Sequence, residues 1–535
     1  MLNRKNDTFE VKKTDLLGRI GQLHTKSGII QTPALLPVIH PTNQEIPPKK
    51  IKQIGYDAVI TNAYTTWKQI GEKASQIGIH KIIDFNGVVM TDSGGYQILE
   101  YGEVEVNPVT MAKYEESIQT DIAVILDHPT GLSSRRDYAK KTIQKTLDAS
   151  LQTLKIKSNP EILWVGPIQG GRHLDLVAQS AIQESKLNFD IFALGSPTEI
   201  MRNYDFQLLM KMIFAAKSNI PLDKPLHLFG AGHPLTMPLA VGLGCDLFDS
   251  ASYILYARED RYLTNGGTIR LETLKSLPCS CPICVQYTAS ELKQVAKSER
   301  INLIAFHNLY VLKAEIQSIR QAIHDGRLWE LIGAKARTHP KLWAAFKYLT
   351  SISKGLEDGT PIYKKKAIYL FSKEDLYRPE VIRHRKRIRK DIQLLSTGNL
   401  ILISEIDPKP YTSLHISKML SNEAQFNIPN QIFFISPIFG PVPLEISEVY
   451  PISQSLFAGK LPSYSYIAND LKWMIRNNKF KQIIVICLNP DLHQLMSSIS
   501  RNFSCKIVDL CTYSKSDQQD VAVDQVLHII SDNSD

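Results

Sequence analysis

GVVMTDSGGYQ, residues Gly87 to Gln97, sets a short apolar run of β-forming residues directly against an acid and two glycines. A run this short and continuous suits a strand buried on both faces, as in a parallel sheet covered by helices. The arrangement recurs along the first half of the chain. Strand-like runs are ALLPV ending at Val38, DAVIT ending at Thr61, GVVMT ending at Thr91, IAVIL ending at Leu126, ILWVGPI ending at Ile168, DIFAL ending at Leu194, LHLFG ending at Gly230 and CDLF ending at Phe248. Stretches of helical period separate them; Arg136 to Ile156 spaces Ala139, Ile143, Leu147, Leu151 and Leu154 for one buried face. Alternating strand and helix predicts an α/β fold with a parallel sheet, and eight strands predict its closure into a (β/α)8 TIM barrel.

In such a barrel the loops that follow the strands converge on one face, so the chemistry is expected there. Just past the strand ends stand Asp92 with Ser93, Gly94 and Gly95, then Asp127, Gln169 with Gly170 and Gly171, Gly195, the run Gly230 to His233, and Asp249. One aspartate after a strand says little, because it also caps a following helix. Three acids, an amide and several glycines at six strand ends are expected to line a single pocket, where the glycines let a planar ligand approach backbone N–H and C=O groups. Two carboxylates facing one substrate suit displacement at an anomeric carbon, one attacking while another group manages the leaving group's proton. A third can accept paired N–H donors from a guanine edge.

The 535 residues are 43% apolar and 21% charged, which excludes a disordered chain and implies two to four domains. The start, MLNRKNDTFEVKK, has no apolar h-region and no run approaches membrane length, so a cytoplasmic protein without membrane contact is expected. Seven cysteines are too few for a disulfide scaffold. Three of them form C-x-C-x-x-C at Cys279, Cys281 and Cys284, and with His307, at the start of a helical stretch from Ala305 to about Ile332, they supply four ligands for tetrahedral Zn2+. With no position left open, such a zinc ion is structural. Cys245, Cys487, Cys505 and Cys511 lie in or beside apolar runs and read as small core residues.

Lys and Arg exceed Asp and Glu by 62 − 53 = 9, and the surplus is concentrated. Between Lys364 and Lys390 eleven cations meet three acids. Arg383, Arg385, Lys386, Arg387, Arg389 and Lys390 are dense enough to touch several phosphates, with Tyr377 and His384 as candidates to stack on bases. Beyond Gly398 a second α/β pattern appears, with strand-like LILIS, IFFIS, IIVIC and KIVDL and helix-like stretches at 468–478 and 519–530.

MTDSGGYQ at Met90 to Gln97, DIAVILDHP at Asp121 to Pro129, GPIQGG at Gly166 to Gly171, ALGSPTE at Ala193 to Glu199, HLFGAGHP at His227 to Pro234 and DLFDSASY at Asp246 to Tyr253 resemble, in order and spacing, the tRNA-guanine transglycosylases. The resemblance covers roughly residues 10 to 340. It implies that Asp249 is the nucleophile on ribose C1′ and Asp92 the general acid/base; family accounts also give Asp92 the first role, and the sequence leaves that open. It implies that Tyr96 stacks on the base, that Asp127 and Gln169 hold the base edge with backbone near Ala193, Leu194 and Gly195, and that Ser93 belongs to the same pocket. The four zinc ligands also occur in the family. SPTE at Ser196 to Glu199 and the stretch after Asp249 resemble the archaeal branch, which inserts 7-cyano-7-deazaguanine for guanine at position 15 of the tRNA D-loop on the way to archaeosine. Exchange at the anticodon wobble guanine, as in bacterial relatives, and a catalytically idle tRNA-binding subunit are the alternatives. The family also implies a homodimer with the zinc region near its interface.

The resulting division expects a catalytic barrel over residues 1–345 with a zinc subdomain at 275–335, a basic accessory segment at 346–400, and a C-terminal α/β accessory domain at 401–535. The small RNA-binding PUA domain common among archaeal members is not recognised there. A separate polypeptide supplying it, or the basic surface alone, is expected to take its place.

Overall fold

A computed structural model describes residues 8–95, 106–133, 135–195, 197–391, 398–406, 409–421, 429–458, 465–476, 478–503, 505–511 and 518–531. The chain divides into two compact units, Met1–Leu349 and Thr350–Asp535. Among the described residues no helix is long and apolar enough to cross a membrane.

The first unit opens with an antiparallel sheet of β1 (Phe9–Asp15), β2 (Gly18–Thr25) and β3 (Gly28–Gln31). The eight expected barrel strands follow: β4 (Ala34–Pro37), β5 (Ala58–Asn62), β6 (Val88–Asp92), β7 (Ile122–Val124), β8 (Leu163–Ile168), β9 (Ile191–Leu194), β10 (Leu226–Leu228) and β11 (Leu247–Ser250). They form one parallel sheet in which β11 pairs with β4, and a single parallel bridge between Val38 and Ile60 joins β4 to β5. The Ile39 N–H reinforces that bridge, donating to the Ile60 carbonyl at 2.8 Å.

Alternate residues of each strand point inward. Ala34, Leu36, Ala58, Ile60, Val88, Met90, Ile122, Val124, Leu163, Val165, Ile191, Ala193 and Leu247 fill the interior, and Leu23 and Ile30 from the N-terminal sheet pack into the same cluster. Each fully buried Val, Leu or Ile of this kind is worth about 1.5–3 kcal/mol. The plugging sheet was not foreseen in the sequence, although GRIGQLHTKSGIIQ carries the alternation and the turn glycines of a hairpin.

The helix Arg136–Ile156 has the expected bounds but buries a different face. Ala139, Thr142, Ile143, Thr146, Ala149, Ser150 and Thr153 are buried, whereas Leu151 is 51% exposed. Small and hydroxyl-bearing residues allow close approach to their neighbours, and two of the hydroxyls find partners there: Ser150 Oγ donates to Glu184 at 2.9 Å and Thr142 meets Thr130 at 2.7 Å.

After β11 the chain forms the hairpin β12 (Arg261–Thr264) and β13 (Gly267–Arg270) and the short helix Pro282–Gln286. A long helix, Lys297–Asp325, then packs against β12. It starts eight residues before the expected Ala305, because its first turn, Lys297 to Arg300, is polar and carries no apolar period, so His307 is interior to the helix.

In the second unit β15 (Asn399–Ser404), β16 (Asn430–Ser436), β19 (Gln482–Cys487) and β20 (Lys506–Asp509) run parallel, and β17 (Gly440–Pro443) adds an antiparallel edge, in the order β17-β16-β15-β19-β20. The remaining strands, β14 (Ile368–Leu370) and β18 (Ser455–Phe457), pair with each other. The basic stretch differs from its expected role. Arg378 is fully buried against Glu380, which also takes Lys364. Arg383 donates to the carbonyls of Glu357, Thr360 and Pro361, Lys386 pairs with Glu357, and Arg385 pairs with Asp470 at 3.0 Å. His384 is not available to stack on a base: it is 7% exposed, edge-on to Phe439. Arg387 and Lys390 remain exposed, and the Arg389 side chain lies outside the described residues.

Candidate active site and metal centre

Strand parity builds the rim. Continuing the inward positions one step above the apolar layer gives Asn62 on β5, Asp92 on β6 and Asp249 on β11. Asn62 and Asp92 are register partners, and Asn62 Nδ2 donates to Asp92 Oδ2 at 3.0 Å. The same Asn62 accepts the Thr65 N–H on its Oδ1 at 2.7 Å, capping the helix Ala63–Ile70. One residue therefore both starts a helix and aims the acid.

Asp249 is 8% exposed. Its Oδ1 accepts the Gly230 N–H at 2.9 Å and lies 2.8 Å from His227 Nε2, while Oδ2 takes no hydrogen bond among the described residues. His227 is fully buried inside the barrel wall, in register with Ala193 and Leu247, and its Nδ1 has no partner among the described residues. That assigns the ring proton to Nε2, where it can be donated to Asp249.

Asp127, 5% exposed just past β7, takes a hydrogen bond from Gln169 Nε2 at 2.5 Å, and Gln169 Oε1 accepts the Thr130 N–H at 3.1 Å. Two glycines press on this pair. A Cβ at Gly95 would stand 1.9 Å from Asp127 Oδ1, and one at Gly195 would stand 2.3 Å from Gln169 Nε2. Any side chain at either position would displace the pair.

The acids act on one another. Burial, and then the charge of Asp249, push Asp92 up to about 6 in spite of hydrogen bonds from the Gly94 N–H and Asn62. Burial, and then the charge of Asp92, push Asp127 up to about 7. These two couplings and the glycine contacts bring Asp92, Asp127, Asp249, Gln169 and Gly195 together. Ala193 and Leu194 end β9 beside them, both fully buried. Ser93 is fully buried, its hydroxyl engaged with Glu115 at 3.0 Å and with the Val124 carbonyl. Tyr96 lies outside the described residues.

His227, Asn62 and Glu115 had not been singled out. A lone histidine within the apolar run LHLFG was the available signal for the first. Glu115, fully buried and bonded to Thr91 at 2.7 Å, is pushed well above the usual carboxylate range by burial; the helix Pro108–Ser117 that carries it gives no such hint.

Apart from the rim, Cys279, Cys281, Cys284 and His307 bring one donor atom each within 4.8 Å of all the others, a group that can hold a metal ion. Cys281 and Cys284 sulfurs are 3.5 Å apart and each is 3.4 Å from His307 Nδ1. His307 Nε2 faces the Leu263 carbonyl at 2.8 Å and its ring stacks on Tyr262 at 3.7 Å, which fixes the ring with Nδ1 toward the thiols. Three soft sulfurs and one imidazole fit a tetrahedral d-block cation that ties the hairpin region to the long helix.

Residues 14–341 match the family described as Queuine tRNA-ribosyltransferase. The chain is 40% identical over 493 residues to the tRNA-guanine(15) transglycosylase of Sulfolobus acidocaldarius, covering 91% of this chain and 96% of the relative. It is 42% identical over 465 residues to the protein of that name from Pyrobaculum aerophilum, covering 85% and 91%. With the one from Methanococcus aeolicus it is 39% identical over 507 residues, covering 92% of this chain and 76% of the relative. With this much of its length matched, and with the strand-end acids and the cysteine cluster assembled as described, the chain belongs to the queuine tRNA-ribosyltransferase family.

Proposed function

We propose that this protein exchanges guanine at position 15 of the tRNA D-loop for 7-cyano-7-deazaguanine through a covalent glycosyl-enzyme, a step toward archaeosine. The observation that carries the reading is the rim itself: Asp249 held by two donors on Oδ1, beside an Asp92 raised to about 6. An acid oriented by two donors on one oxygen, beside a second acid that holds its proton close to neutrality, suits a nucleophile and a proton carrier. Asp249 Oδ2 attacks C1′ of a nucleotide turned out of the tRNA, and the C1′–N9 electron pair leaves with guanine, which the Asp92 proton neutralises. In the second half the Asp92 carboxylate takes the N9 proton of the incoming deazaguanine, whose N9 pair displaces Asp249 from C1′.

Asp127 and Gln169 hold the base edge, with backbone at Ala193, Leu194 and Gly195. Tyr96 is assigned to stacking on the base from the sequence alone, and Ser93 shapes the turn through its buried hydroxyl. The Cys279, Cys281, Cys284 and His307 group holds a structural Zn2+, with no part in the exchange. Residues 1–345 form the catalytic domain with its zinc subdomain at 275–335, followed by the accessory segment 346–400 and accessory domain 401–535. The protein works in the cytoplasm, where its tRNA is found, as a homodimer.

The test is to incubate protein and tRNA transcript with labelled 7-cyano-7-deazaguanine and to locate the label by mass spectrometry. Label at position 15 is expected. Label at the wobble position would transfer the reading to the queuine-type reaction, and intact tRNA binding without exchange would leave a non-catalytic subunit.

A further inference from the structure

Cys487 ends β19, Asp509 ends β20, and Cys511 follows two residues later. Cys487 and Asp509 are register partners in a parallel ladder, so their side chains leave the same face of the sheet, and the strand period carries Cys511 toward that face as well. The two sulfurs are 3.0 Å apart, and with an Asp509 carboxylate oxygen they lie within 4.8 Å of one another. On the same face packs the helix His493–Phe503, through Leu495, Met496 and Ile499. Its first residue, His493, places Nε2 2.7 Å from Asp509 Oδ2.

We propose that Cys487, Asp509 and Cys511 form a second metal site, for a divalent cation of the Zn2+ class, with His493 orienting Asp509 and the fourth position open to water or a small ligand. Two thiolates and a carboxylate suit a borderline-soft ion and disfavour Mg2+ or Ca2+, which take oxygen ligands. A redox pair would use the two sulfurs alone, whereas here the Asp509 carboxylate is brought to both of them, its Oδ1 accepting the Cys511 N–H at 3.2 Å. Here a histidine fixes the ligating acid through the oxygen it bonds, the kind of outer support metal ligands need. All three ligands stand at or just past the carboxyl ends of the adjacent parallel strands β19 and β20. The side chains of Asp509 and His493 are 40% and 46% exposed, which gives an ion a way in, while Cys487 is fully buried and anchors the site.

The test uses the full chain, purified reduced, loaded with Zn2+ or Co2+, desalted, and its metal counted per chain by mass spectrometry, with the Co2+ charge-transfer spectrum as a second readout. Removing Cys511, which is only partly buried, by Cys511→Ser, or neutralising the exposed Asp509 by Asp509→Asn, is expected to lower the content by one ion per chain. His493→Ala is expected to weaken that ion about 10–100-fold. Because the loss is read as the difference from the parent chain, it stands whatever the occupancy of the Cys279 to His307 group. Unchanged metal content in both Cys511→Ser and Asp509→Asn would overturn the proposal. So would a Cys487–Cys511 disulfide in non-reduced peptide maps of chains that take up no ion lost in these variants.

Discussion

The two parallel sheets of this chain put their polar groups at the same end and differ in closure. In the barrel, β11 returns to β4, so inward residues of all eight strands meet across one interior and Asp92 feels Asp249 from the other side of the seam. The C-terminal sheet stays open, and neighbouring strands bring their ends together: β19 and β20 at Cys487 and Asp509, and β15 and β19 where Ser404 Oγ accepts the Leu488 and Asn489 N–H groups. Closure turns residues more than a hundred positions apart into one chemical unit. An open edge joins only neighbours, and each such join depends on a single register.

If closure makes the rim one unit, changing any member should disturb the others in a graded way. The largest effect is expected from Asp249→Ala, which should lower exchange by about 10^4-fold or more while tRNA affinity, measured by filter binding, changes by no more than roughly a few-fold. A large loss of binding would instead make Asp249 structural. Next is His227→Phe, which leaves Oδ1 with the Gly230 N–H alone. A loosened nucleophile should lower kcat by about 10^2-fold with little change in KM, and His227→Gln, which keeps a donor, should recover part of it.

Asp127→Asn separates stability from function. A carboxyl raised to about 7 in the fold, against about 3.9 unfolded, stabilises only while protonated: the contribution is complete below the unfolded value and is lost as pH rises through 7. The variant should therefore melt higher than the parent at pH 8, by roughly 2–4 °C for each kcal/mol recovered, and lose that advantage at pH 4. Exchange should fall at either pH, because the base edge loses its acceptor pair. The smallest effect is expected from Asn62→Ala. Removing the donor on Asp92 Oδ2 should raise that acid above its value of about 6, so the alkaline limb of the kcat profile, where Asp92 loses the proton it donates to guanine, moves to higher pH by up to about one unit. A limb that stays in place would detach Asn62 from the proton carrier.

Much of the barrel could be read from sequence because strands buried on both faces appear as unbroken apolar runs, and the acids could be grouped once those strands were counted. What escaped reading depends on contacts between distant segments. The N-terminal sheet plugs the barrel with Leu23 and Ile30, flanked by the partly buried Phe9, too few residues to stand out. Leu151 looked buried by period, yet the face that packs is the one with small residues, which helix spacing alone does not reveal. The basic stretch looked free because its partners Glu357 and Asp470 lie outside it. Cys487 and Cys511 were legible as core residues and do pack in the core of the second sheet, but that their sulfurs meet at 3.0 Å depends on a strand register that no sequence motif marks. Cys279 to Cys284, clustered within six positions, needed no register at all.

The central claim is that Asp249 carries the ribosyl group while Asp92 moves the proton. Quenching the protein with tRNA in acid and denaturant, digesting both chains, and mapping the nucleotide-modified peptide by mass spectrometry tests it directly. The account predicts the adduct on the peptide containing Asp249, absent in Asp249→Ala. An adduct on the peptide containing Asp92, persisting when Asp249 is replaced, would contradict it.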